Sequence, residues 1–410
     1  MTDSDRKVLY ITATLPALTV TFIHREVSRL REIGVGIDCV SMNTPDESEI
    51  SDDARSLLKD TFYLDAVGLL PKLAGFLLAT IRHPVLFVRS MGIIFAARPM
   101  NGARDYARLI YHLLEGAYLS RQLDMSSYRH IHAHFINGPT SIAMFLSEFS
   151  GVPFSFTMHA SMIWLDPIAL GNKLERCAFC ASISEYNADY VLGQYGEEHV
   201  EKIHIVHCGI DPEPQSIGPK TRRPDKPVQL LGVGQLNARK GFHVLIEACG
   251  RLRDDGVPFR CKIVGGGEQS PRLEGMLREH DLSELVTLTG PVKHDVVDEL
   301  IAECDLFVLP CVISDDGWRD GIPVALMEAM FHERVAVSSR ILGIPELIED
   351  GVSGRLVETK NPEALAAAIT ELAASPGMCA RLAAEGRQKV LADFNNAKSA
   401  AKLAGLFSAT

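Results

Sequence analysis

Two acidic residues, Asp320 and Glu328, lie on either side of a predicted helix start, with seven residues between them. The apolar run 306–310 before them predicts a buried strand. Pro323 suits the first turn of a helix, because its missing N–H group has no partner to lose there. The free N–H groups and the dipole of such a helix favour a phosphate group, whereas a carboxylate suits the paired hydroxyls of a sugar. This spacing therefore predicts a site for a nucleotide sugar.

The stretch from Arg319 to Met330 resembles the E-x7-E signature of retaining GT-B glycosyltransferases of the family 4 type. In that family the second acid binds the ribose of the nucleotide and the first contacts the donor sugar, so the resemblance implies these roles for Glu328 and Asp320. Asp320 is one methylene shorter than the usual glutamate. The alternative interpretation is a solvated loop acid and an ordinary surface glutamate. Substrate binding, which would stabilise the leaving diphosphate, is also expected at the helix start, formed by Gly321, Ile322, Pro323 and Val324.

A second loop, from Gly234 to Gly241, follows a predicted strand and resembles the G-R-x-x-x-K-G-type phosphate loop of the same family. Two phosphate charges in a cleft require cationic or N–H donors. Lys240 matches the family's lysine, and the resemblance implies that it clamps the donor diphosphate. Gln235 lies where the family has an arginine, and we expect Arg239 to supply the missing charge, with both residues in substrate binding. A solvated lysine at a helix start is the alternative.

The N-terminal half opens as a strand, a loop, a helix and a second strand. Residues 7–14 and 37–42 are predicted strands, and apolar residues at helical spacing predict a helix from about Thr21. Such a unit opens a doubly wound parallel sheet, and the lack of a G-x-G-x-x-G motif argues against a nicotinamide or flavin dinucleotide. The segment 16–34 resembles the first loop and helix of family members that build extracellular polysaccharide. This resemblance makes Thr19 and Thr21 candidate substrate contacts, with helix capping as the alternative.

Histidines end two of the predicted strands. His130, His132 and His134 alternate along one strand and share a face, a pattern that can bind zinc. The sequence places no carboxylate or cysteine beside them, so we predict no metal ion. His159 ends the next predicted strand, where ligand sites of open α/β sheets lie. The run 156–160 resembles the family motif that carries a histidine near the donor sugar, which implies a catalytic role for His159; a structural hydrogen bond is the alternative.

The segment 66–108 is both basic and apolar. Its longest uncharged apolar run, 73–81, has nine residues, far short of the roughly 20 that a membrane span needs. This composition suits a pair of helices lying on an anionic membrane surface. A helical insertion packed on the N-terminal domain explains it equally well. The basic residues of the segment are Lys72, Arg82, Arg89, Arg98, Arg104 and Arg108, against one acid, Asp105.

The composition is that of a globular protein with an acidic balance. The chain has 410 residues, a formal net charge of -11 and nine scattered cysteines. The length predicts two or three domains, and the net charge argues against a general nucleic-acid binder. Scattered cysteines fit reduced thiols in a cytosolic protein, and the polar start differs from a signal peptide. We therefore expect a cytoplasmic protein, peripheral on the inner face of the cell membrane where the basic segment binds lipid.

A Pro-rich stretch, 213–227, divides two strand–helix halves of similar size. We expect a domain of residues 1–212, carrying the helical insertion at about 66–108, and a second domain of residues 228–393. A last helix, 394–410, would cross back to the first domain, as the resemblance implies. The expected fold class is α/β, with two Rossmann-like doubly wound parallel-sheet domains facing a cleft in the GT-B arrangement.

Together these features predict a retaining glycosyltransferase that moves a sugar from a nucleotide diphosphate sugar to a saccharide acceptor, in particular a lipid-linked one, in cell-surface polysaccharide biosynthesis. The donor would bind the second domain and the acceptor the first. The resemblance implies no metal and no cofactor. The expected partners are the nucleotide sugar, the acceptor and an anionic membrane surface, with no nucleic acid. Two other functions remain open: another GT-B activity, such as a sugar phosphorylase or a sugar-nucleotide epimerase, and a non-catalytic relative that binds nucleotide sugars.

Overall fold

The computed structural model describes residues 6–16, 21–46, 55–98, 100–159, 162–211, 218–221, 223 and 225–410. The chain forms two compact units: Met1–His207 together with Asn396–Thr410, and Cys208–Asn395. Each unit has its own parallel sheet flanked by helices. The α/β class with two doubly wound parallel sheets, predicted from the sequence, is therefore confirmed.

The first unit is built on a parallel sheet. Its strands are β1 (Lys7–Thr14), β2 (Ile37–Asn43), β3 (Thr61–Tyr63), β4 (Tyr128–His134), β5 (Phe154–Met158), β6 (Phe179–Ser182) and β7 (Ile203–Ile205). Its helices in this part of the chain are α1 (Thr21–Glu32), α2 (Arg55–Lys59), α3 (Leu69–Arg82), α4 (Pro84–Ala96), α5 (Ala103–Gln122), α6 (Gly138–Ser150), α7 (Met162–Leu165), α8 (Leu170–Arg176) and α9 (Glu185–Tyr195). Among the described residues the strand order is β3-β2-β1-β4-β5-β6-β7. The order reverses between β1 and β4, and open sheets bind ligands at the carboxyl ends of strands beside such a reversal.

The second unit repeats this plan. Its strands are β8 (Val228–Val233), β9 (Phe259–Val264), β10 (Val286–Gly290), β11 (Leu306–Leu309), β12 (Val335–Ser339) and β13 (Arg355–Val357). Its helices are α10 (Phe242–Asp254), α11 (Ser270–Glu279), α12 (His294–Glu303), α13 (Val324–Phe331), α14 (Ile344–Leu347), α15 (Pro362–Ala374) and α16 (Pro376–Asp393). The strand order in the described residues is β10-β9-β8-β11-β12-β13. The reversal falls between β8 and β11, so the loops that follow these two strands are the ones placed to bind a ligand.

The central strands are buried over their whole length. Every residue of β5, β11 and β12 is buried. A strand of a parallel sheet is covered on both faces, which favours a mostly apolar run over an alternating pattern, and buried hydroxyls such as Ser155 and Ser338 are hydrogen-bonded. This is why the runs visible in the sequence predict these strands correctly.

The last helix, α17 (Asn396–Ser408), belongs to the first unit. Its Leu403 and Phe407 are buried in one cluster with Tyr10 of β1 and Val27 of α1. The sequence analysis assigned residues up to 212 to the first domain, whereas the structure places the start of the second unit at Cys208. The reason is local pairing, since the Ile210 N–H donates to the carbonyl oxygen of Phe394 at 2.9 Å. Of the predicted linker, residues 213–217, 222 and 224 lie outside the described residues.

The basic and apolar segment folds into α3, α4 and the start of α5. Among the described residues no single helix is long and apolar enough to cross a membrane; α3 and α4 meet that test only as a pair, bent by 113°. Many of their large apolar side chains are exposed to solvent. These exposed side chains are Leu69, Leu70, Leu73, Leu77, Leu78, Ile81, Val85, Val88 and Phe95.

Lys72 is not part of an exposed basic surface, so for this residue packing on the N-terminal domain, one of the two interpretations of the segment, is the one that fits. Its side chain is 2% exposed, and its Nζ lies 2.9 Å from Glu115 Oε1 and 3.0 Å from Tyr111 Oη. The sequence could not show this pairing, because Glu115 lies beyond the segment on α5. Two arginines of the segment also form ion pairs with acids elsewhere, Arg89 with Glu148 and Arg108 with Asp166.

Candidate functional site

The loops after β8 and β11 touch each other through their backbones. The loop after β8 turns through a short 3-10 helix, Ala238–Lys240, and Gly241 precedes α10. Gly241 has a φ of 72°, and a Cβ atom there would overlap the carbonyl oxygen of Pro310. Only glycine allows this approach. The Val312 N–H then donates to the carbonyl oxygen of Arg239 at 2.9 Å, which holds the two loops together.

Asp320 lies between two cations of the neighbouring loop. Arg239 Nε donates to Asp320 Oδ1 at 2.8 Å, and Lys240 Nζ lies 2.9 Å from Asp320 Oδ2. The three side chains are between 15% and 27% exposed. The guanidinium carbon of Arg239 also lies 5.8 Å from the ring centroid of Trp318, within cation–π range. The structure thus brings together three residues that the sequence analysis took from two separate motifs.

This Arg239–Lys240–Asp320 cluster suits an anionic ligand. Its two cations and one carboxylate leave one net positive charge. A diphosphate would form charge-assisted hydrogen bonds with both cations, in the bidentate geometry that arginine offers. It would also compete with Asp320 for the same donors.

Gln235 shapes the loop that carries these cations. Its side chain is exposed, and its Oε1 accepts a hydrogen bond from Asn237 Nδ2 at 3.1 Å. The Leu236 N–H donates to the carbonyl oxygen of Gly266 at 2.9 Å, and a Cβ atom on Gly265 would overlap the carbonyl oxygen of Gly234. The glycine run after β9 therefore permits close approach of two backbones. Cationic charge in this loop comes from Arg239 and Lys240, while Gln235 offers an amide.

Helix α13 begins at Val324, and Pro323 is the residue before it, with φ -65° and ψ 126°. The sequence analysis placed Pro323 inside the first turn; its extended ψ makes it the N-cap instead. Gly321 and Ile322 form the partly buried end of the loop. The first N–H groups of a helix have no acceptor within it, so the start of α13 offers hydrogen-bond donors. Glu328 is partly buried and lies just over one turn into the helix.

A cavity of about 200 Å³ opens beside Arg239. It is lined by Asn237, Ala238, Arg239, Glu268, Ser314, Asp316 and Trp318. Asp316 Oδ1 accepts hydrogen bonds from Ser314 Oγ at 2.5 Å and from the Trp318 N–H at 3.3 Å. Both bonds, and the one from Ser314 most, lower the pKa of Asp316. The ionised Asp316 therefore braces this loop. Ser314, Asp316 and Trp318 were not predicted to belong to the site, although a rare tryptophan in a polar loop is a usable signal.

In the first unit, His159 follows β5 and lies beside His134, which ends β4. His134 Nδ1 is 3.0 Å from His159 Nε2, and His134 Nε2 is 3.1 Å from Glu26 Oε1. The rings of Phe22 and Phe135 each lie with their centroids 4.7 Å from that of His159. Burial lowers the pKa of His159 well below its ordinary value, so this imidazole is neutral. His159 is thus a neutral hydrogen-bonding group with fixed neighbours.

The histidine strand has a carboxylate beside it that the sequence analysis missed. Atoms of Glu26, His132 and His134 that could ligate a metal all lie within 4.8 Å of one another. However, His132 uses Nδ1 with Ser155 Oγ at 2.8 Å and Nε2 with Thr157 Oγ1 at 2.9 Å. Every ring nitrogen of His132 and His134 therefore has a hydrogen-bond partner. That no metal ion binds here stays a prediction.

Thr21 is the first residue of α1 and precedes Phe22, which packs on His159. Its contact with a substrate stays a prediction, and Thr19 lies outside the described residues. The sequence holds one indication that Glu26 lies near His159. Glu26 comes four residues after Phe22, and residues four apart on a helix share a face. Nothing in the sequence places that face against β4.

Comparison with known proteins gives a family for the second unit. The family described as "Glycosyl transferases group 1" matches residues 215–389. The chain is 37% identical over 212 residues to a protein named as a colanic acid biosynthesis glycosyltransferase, WcaL, of Escherichia coli (strain K12), covering 51% of this chain and 52% of the relative. It is 36% identical over 195 residues to the amylovoran biosynthesis glycosyltransferase AmsK of Erwinia amylovora, covering 48% of each. The chain spans about half the length of the curated relatives it matches.

Solved structures match over nearly the whole chain. The Anabaena protein Alr3699/HepE, in complex with UDP and glucose, aligns with a TM-score of 0.67 and 15% identity, covering 99% of this chain and 100% of that one. At this identity the likeness shows the fold alone. The two parallel sheets therefore form the GT-B fold.

Proposed function

We propose that this chain, whose residues 215–389 belong to the glycosyl transferases group 1 family, is a retaining glycosyltransferase. It transfers a sugar from a nucleotide diphosphate sugar to a saccharide acceptor in the synthesis of a cell-surface polysaccharide. The names of two relatives, for colanic acid and amylovoran synthesis, support this context. The observation that carries the proposal is the Arg239–Lys240–Asp320 cluster next to the start of α13.

The second unit binds the donor. Lys240 and Arg239 hold the diphosphate through charge-assisted hydrogen bonds, and the N–H groups at the start of α13 add to them. The same donors stabilise the diphosphate as negative charge develops on it while its bond to the sugar breaks. The UDP complex of the Anabaena protein supports a nucleotide donor for this fold.

Asp320 pairs with the two cations before the donor binds and with the donor sugar afterwards. Before the donor binds, its carboxylate neutralises Arg239 and Lys240. When the diphosphate takes over these cations, the carboxylate accepts hydrogen bonds from hydroxyls of the donor sugar. Glu328 binds the ribose, and His159 of the first unit contacts the donor sugar. The bond between the anomeric carbon and the diphosphate oxygen breaks, the acceptor hydroxyl oxygen forms the new bond to that carbon with retained configuration, and the hydroxyl proton passes to the released diphosphate.

The test of the donor site is a thermal-shift titration with UDP-, GDP-, ADP- and dTDP-sugars on the wild type and on Glu328→Ala. A ligand that binds only the native state stabilises it by about 2.7 kcal/mol at 100 times its Kd. We expect one nucleotide to raise the Tm of the wild type and to lose this effect in Glu328→Ala. Glu274→Ala, an exposed glutamate on α11, is the matched control and should keep it. No rise with any nucleotide would contradict the site.

Product analysis separates transfer from the other functions. With donor and saccharide acceptor we expect a glycoside whose anomeric configuration, read by NMR, matches that of the donor. A sugar 1-phosphate formed when inorganic phosphate replaces the acceptor would indicate a phosphorylase. An isomerised nucleotide sugar would indicate an epimerase, and binding without turnover a non-catalytic relative.

We further propose that α3 and α4 lie on an anionic membrane and that the acceptor is lipid-linked. Nine large apolar side chains are exposed on these helices. Residues 69–98 contain several arginines and no aspartate or glutamate. Burial of apolar surface is worth about 25 cal/mol per Å², and each basic residue near anionic lipid about 1 kcal/mol. The protein would then work as a peripheral protein on the cytoplasmic face of the membrane.

Vesicle sedimentation tests the membrane proposal. We expect the wild type to pellet with phosphatidylcholine vesicles that contain phosphatidylglycerol, and much less with phosphatidylcholine alone. The double variant Leu77→Gln, Ile81→Gln should stay in the supernatant, and because these side chains are 59% and 67% exposed the fold should survive. Val352→Gln, at an exposed valine of the second unit, should pellet like the wild type. Equal behaviour of wild type and double variant would overturn the proposal.

A further inference from the structure

Side chains from four elements of the first unit form one continuous hydrogen-bonded chain. Tyr10 Oη of β1 donates to Glu26 Oε1 of α1 at 2.8 Å. The same oxygen lies 3.1 Å from His134 Nε2 of β4, and His134 Nδ1 lies 3.0 Å from His159 Nε2. We refer to Tyr10, Glu26, His134 and His159 as the histidine relay. It ends on the residue assigned to the donor sugar.

The chemistry of these groups determines where the protons lie. An ionised carboxylate can only accept hydrogen bonds, so His134 must carry its proton on Nε2. Burial, and next Glu26, raise the pKa of Tyr10 well above its ordinary value, which keeps Tyr10 a phenol and a donor. A neutral His134 then has a lone pair on Nδ1, which can accept only from a proton on His159 Nε2. Because neutral His159 has one ring proton, its Nδ1 is left unprotonated.

Packing prevents the rings from leaving this arrangement. His134 is 0% and His159 is 7% exposed, and the two rings lie nearly parallel, with centroids 5.3 Å apart and planes 21° apart. Phe22 and Glu26 lie one turn apart on α1, so one face of this helix supplies both an aromatic contact to His159 and the carboxylate. The relay is therefore locked by the docking of α1 on the sheet.

The nearest other titratable ring does not compete for the relay. His132 also packs on Tyr10, with ring centroids 5.1 Å apart. Both of its nitrogens are occupied by Ser155 Oγ and Thr157 Oγ1. The groups that face His134 are thus Tyr10 from β1, Glu26 from α1, His132 from its own strand and His159 after β5, and Glu26 supplies the one carboxylate among these neighbours.

We propose that Glu26 and His134 are positioning residues that hold His159 in the Nε2–H tautomer, so that its Nδ1 accepts a hydrogen bond from a hydroxyl of the donor sugar. The sugar contact rests on the proposed function, whereas the tautomer does not. A histidine held this way discriminates in favour of a hydroxyl at the contacted carbon, because a group without a donor proton leaves Nδ1 unpaired.

The tautomer can be read directly by NMR of selectively ¹⁵N-labelled histidine rings. His159→Asn and His134→Asn identify the relevant signals among the 14 histidines. We expect His159 in the wild type to be protonated on Nε2. Glu26→Leu should shift it toward the Nδ1–H form, while Glu26→Asp, which keeps the carboxylate, should preserve the wild-type form. Wild-type protonation on Nδ1, or an unchanged tautomer in a folded Glu26→Leu, would overturn the proposal.

Kinetics with the nucleotide sugar found by thermal shift tests the consequence for transfer. We expect Glu26→Leu to lower kcat by about 10- to 100-fold, the usual effect of removing an outer positioning partner, and Glu26→Asp to recover most of it. The affinity for the free nucleotide diphosphate should not change, because the second unit binds it. Glu32→Leu, at a glutamate of the same helix whose side chain is 58% exposed, is the matched control and should transfer normally.

The outcomes separate the two proposals. If the wild type transfers sugar and Glu26→Leu keeps its kcat, the positioning role is wrong and the proposed function stands. If no donor is turned over but the tautomer responds to Glu26 as expected, the relay stands and the proposed function is wrong. A purely structural role would lower the Tm of Glu26→Leu without moving the tautomer of His159, which would overturn the relay.

Discussion

The two units place different chemistry at the carboxyl ends of their central strands. In the second unit, the loops beside the strand reversal carry Arg239, Lys240 and Asp320, which are charged and 15% to 27% exposed. In the first unit, the ends of the adjacent strands β4 and β5 carry His134 and His159, which are 0% and 7% exposed and hydrogen-bonded. The site in the second unit is a partly exposed cluster of ion pairs, and the site in the first unit is a buried network of hydrogen bonds.

This difference follows from the cost of burying charge. An isolated ion in a protein interior is strongly destabilised, and Arg239 and Lys240 accordingly stay partly exposed and share the carboxylate of Asp320. A neutral imidazole ring can be buried when its nitrogens are hydrogen-bonded, as both nitrogens of His134 are. The charged cluster of the second unit therefore suits an anion, and the neutral network of the first unit suits an uncharged ligand, as the proposed function requires.

A fall in pH should lower the free energy of unfolding of the first unit more than that of the second. Burial lowers the pKa of His112 and His130 to about 3 and that of His132 and His159 well below its ordinary value. Because these folded values lie below the unfolded value, the unfolded chain binds more protons; the resulting stability is complete above pH 6.5 and is lost as the pH falls toward the folded values. Each such histidine removes about 2 kcal/mol of unfolding free energy between pH 6.5 and 5.

The two tryptophans report on the units separately, because Trp164 lies in the first and Trp318 in the second. Trp318→Phe and Trp164→Phe each leave one reporter. Between pH 7 and 5 we expect the Tm read from Trp164 to fall more than that read from Trp318. Equal shifts at the two tryptophans would show that the buried histidines do not set the difference.

Removing Lys240 should cause the largest catalytic loss. In Lys240→Ala, one donor to the developing diphosphate charge is gone while Arg239 still pairs with Asp320, so kcat should fall by about 10²- to 10³-fold. Steady-state transfer assays measure this, with Lys262→Ala as the control, because Lys262 is an exposed lysine of β9 paired with Glu303. Wild-type turnover in Lys240→Ala would assign diphosphate stabilisation to other groups.

Neutralising Asp320 should have two effects of opposite sign. In Asp320→Asn the cations lose their competing carboxylate, so free nucleotide diphosphate should bind up to about fivefold tighter, the equivalent of about 1 kcal/mol for a partly exposed ion pair. Transfer should slow by about 10- to 100-fold, since the sugar loses a hydrogen bond to a charged group. Calorimetry and turnover measure the two effects. Asp315→Asn, at a fully exposed aspartate of the same loop, should change neither, and weaker binding in Asp320→Asn would argue against the exchange of partners.

The elements that position the site were predictable because their signals are local. Strands β8, β11 and β12 read as short apolar runs, and α1 follows from apolar residues at helical spacing. The family resemblance, confirmed for residues 215–389, depends on the spacing of Asp320, Glu328 and Lys240. The side-chain pairs were not predictable. Lys72 was counted among the basic residues of the segment 66–108, and nothing in the sequence pairs it with Glu115, whose carboxylate lies 2.9 Å away in the interior.

By itself the sequence determined the two doubly wound halves, the cationic loop and the acids around α13, since strand runs, helix periods and motif spacings are properties of neighbouring residues. Only the tertiary structure decided which charges neutralise each other and which rings share protons. Asp320 meets Arg239 and Lys240 because β8 and β11 are adjacent in the sheet, although 81 positions separate Asp320 from Arg239. Glu26 meets His134 across 108 positions because α1 docks on β4. Hydrogen bonds and ion pairs act over a few ångströms, so they depend on the folded packing and not on distance along the chain.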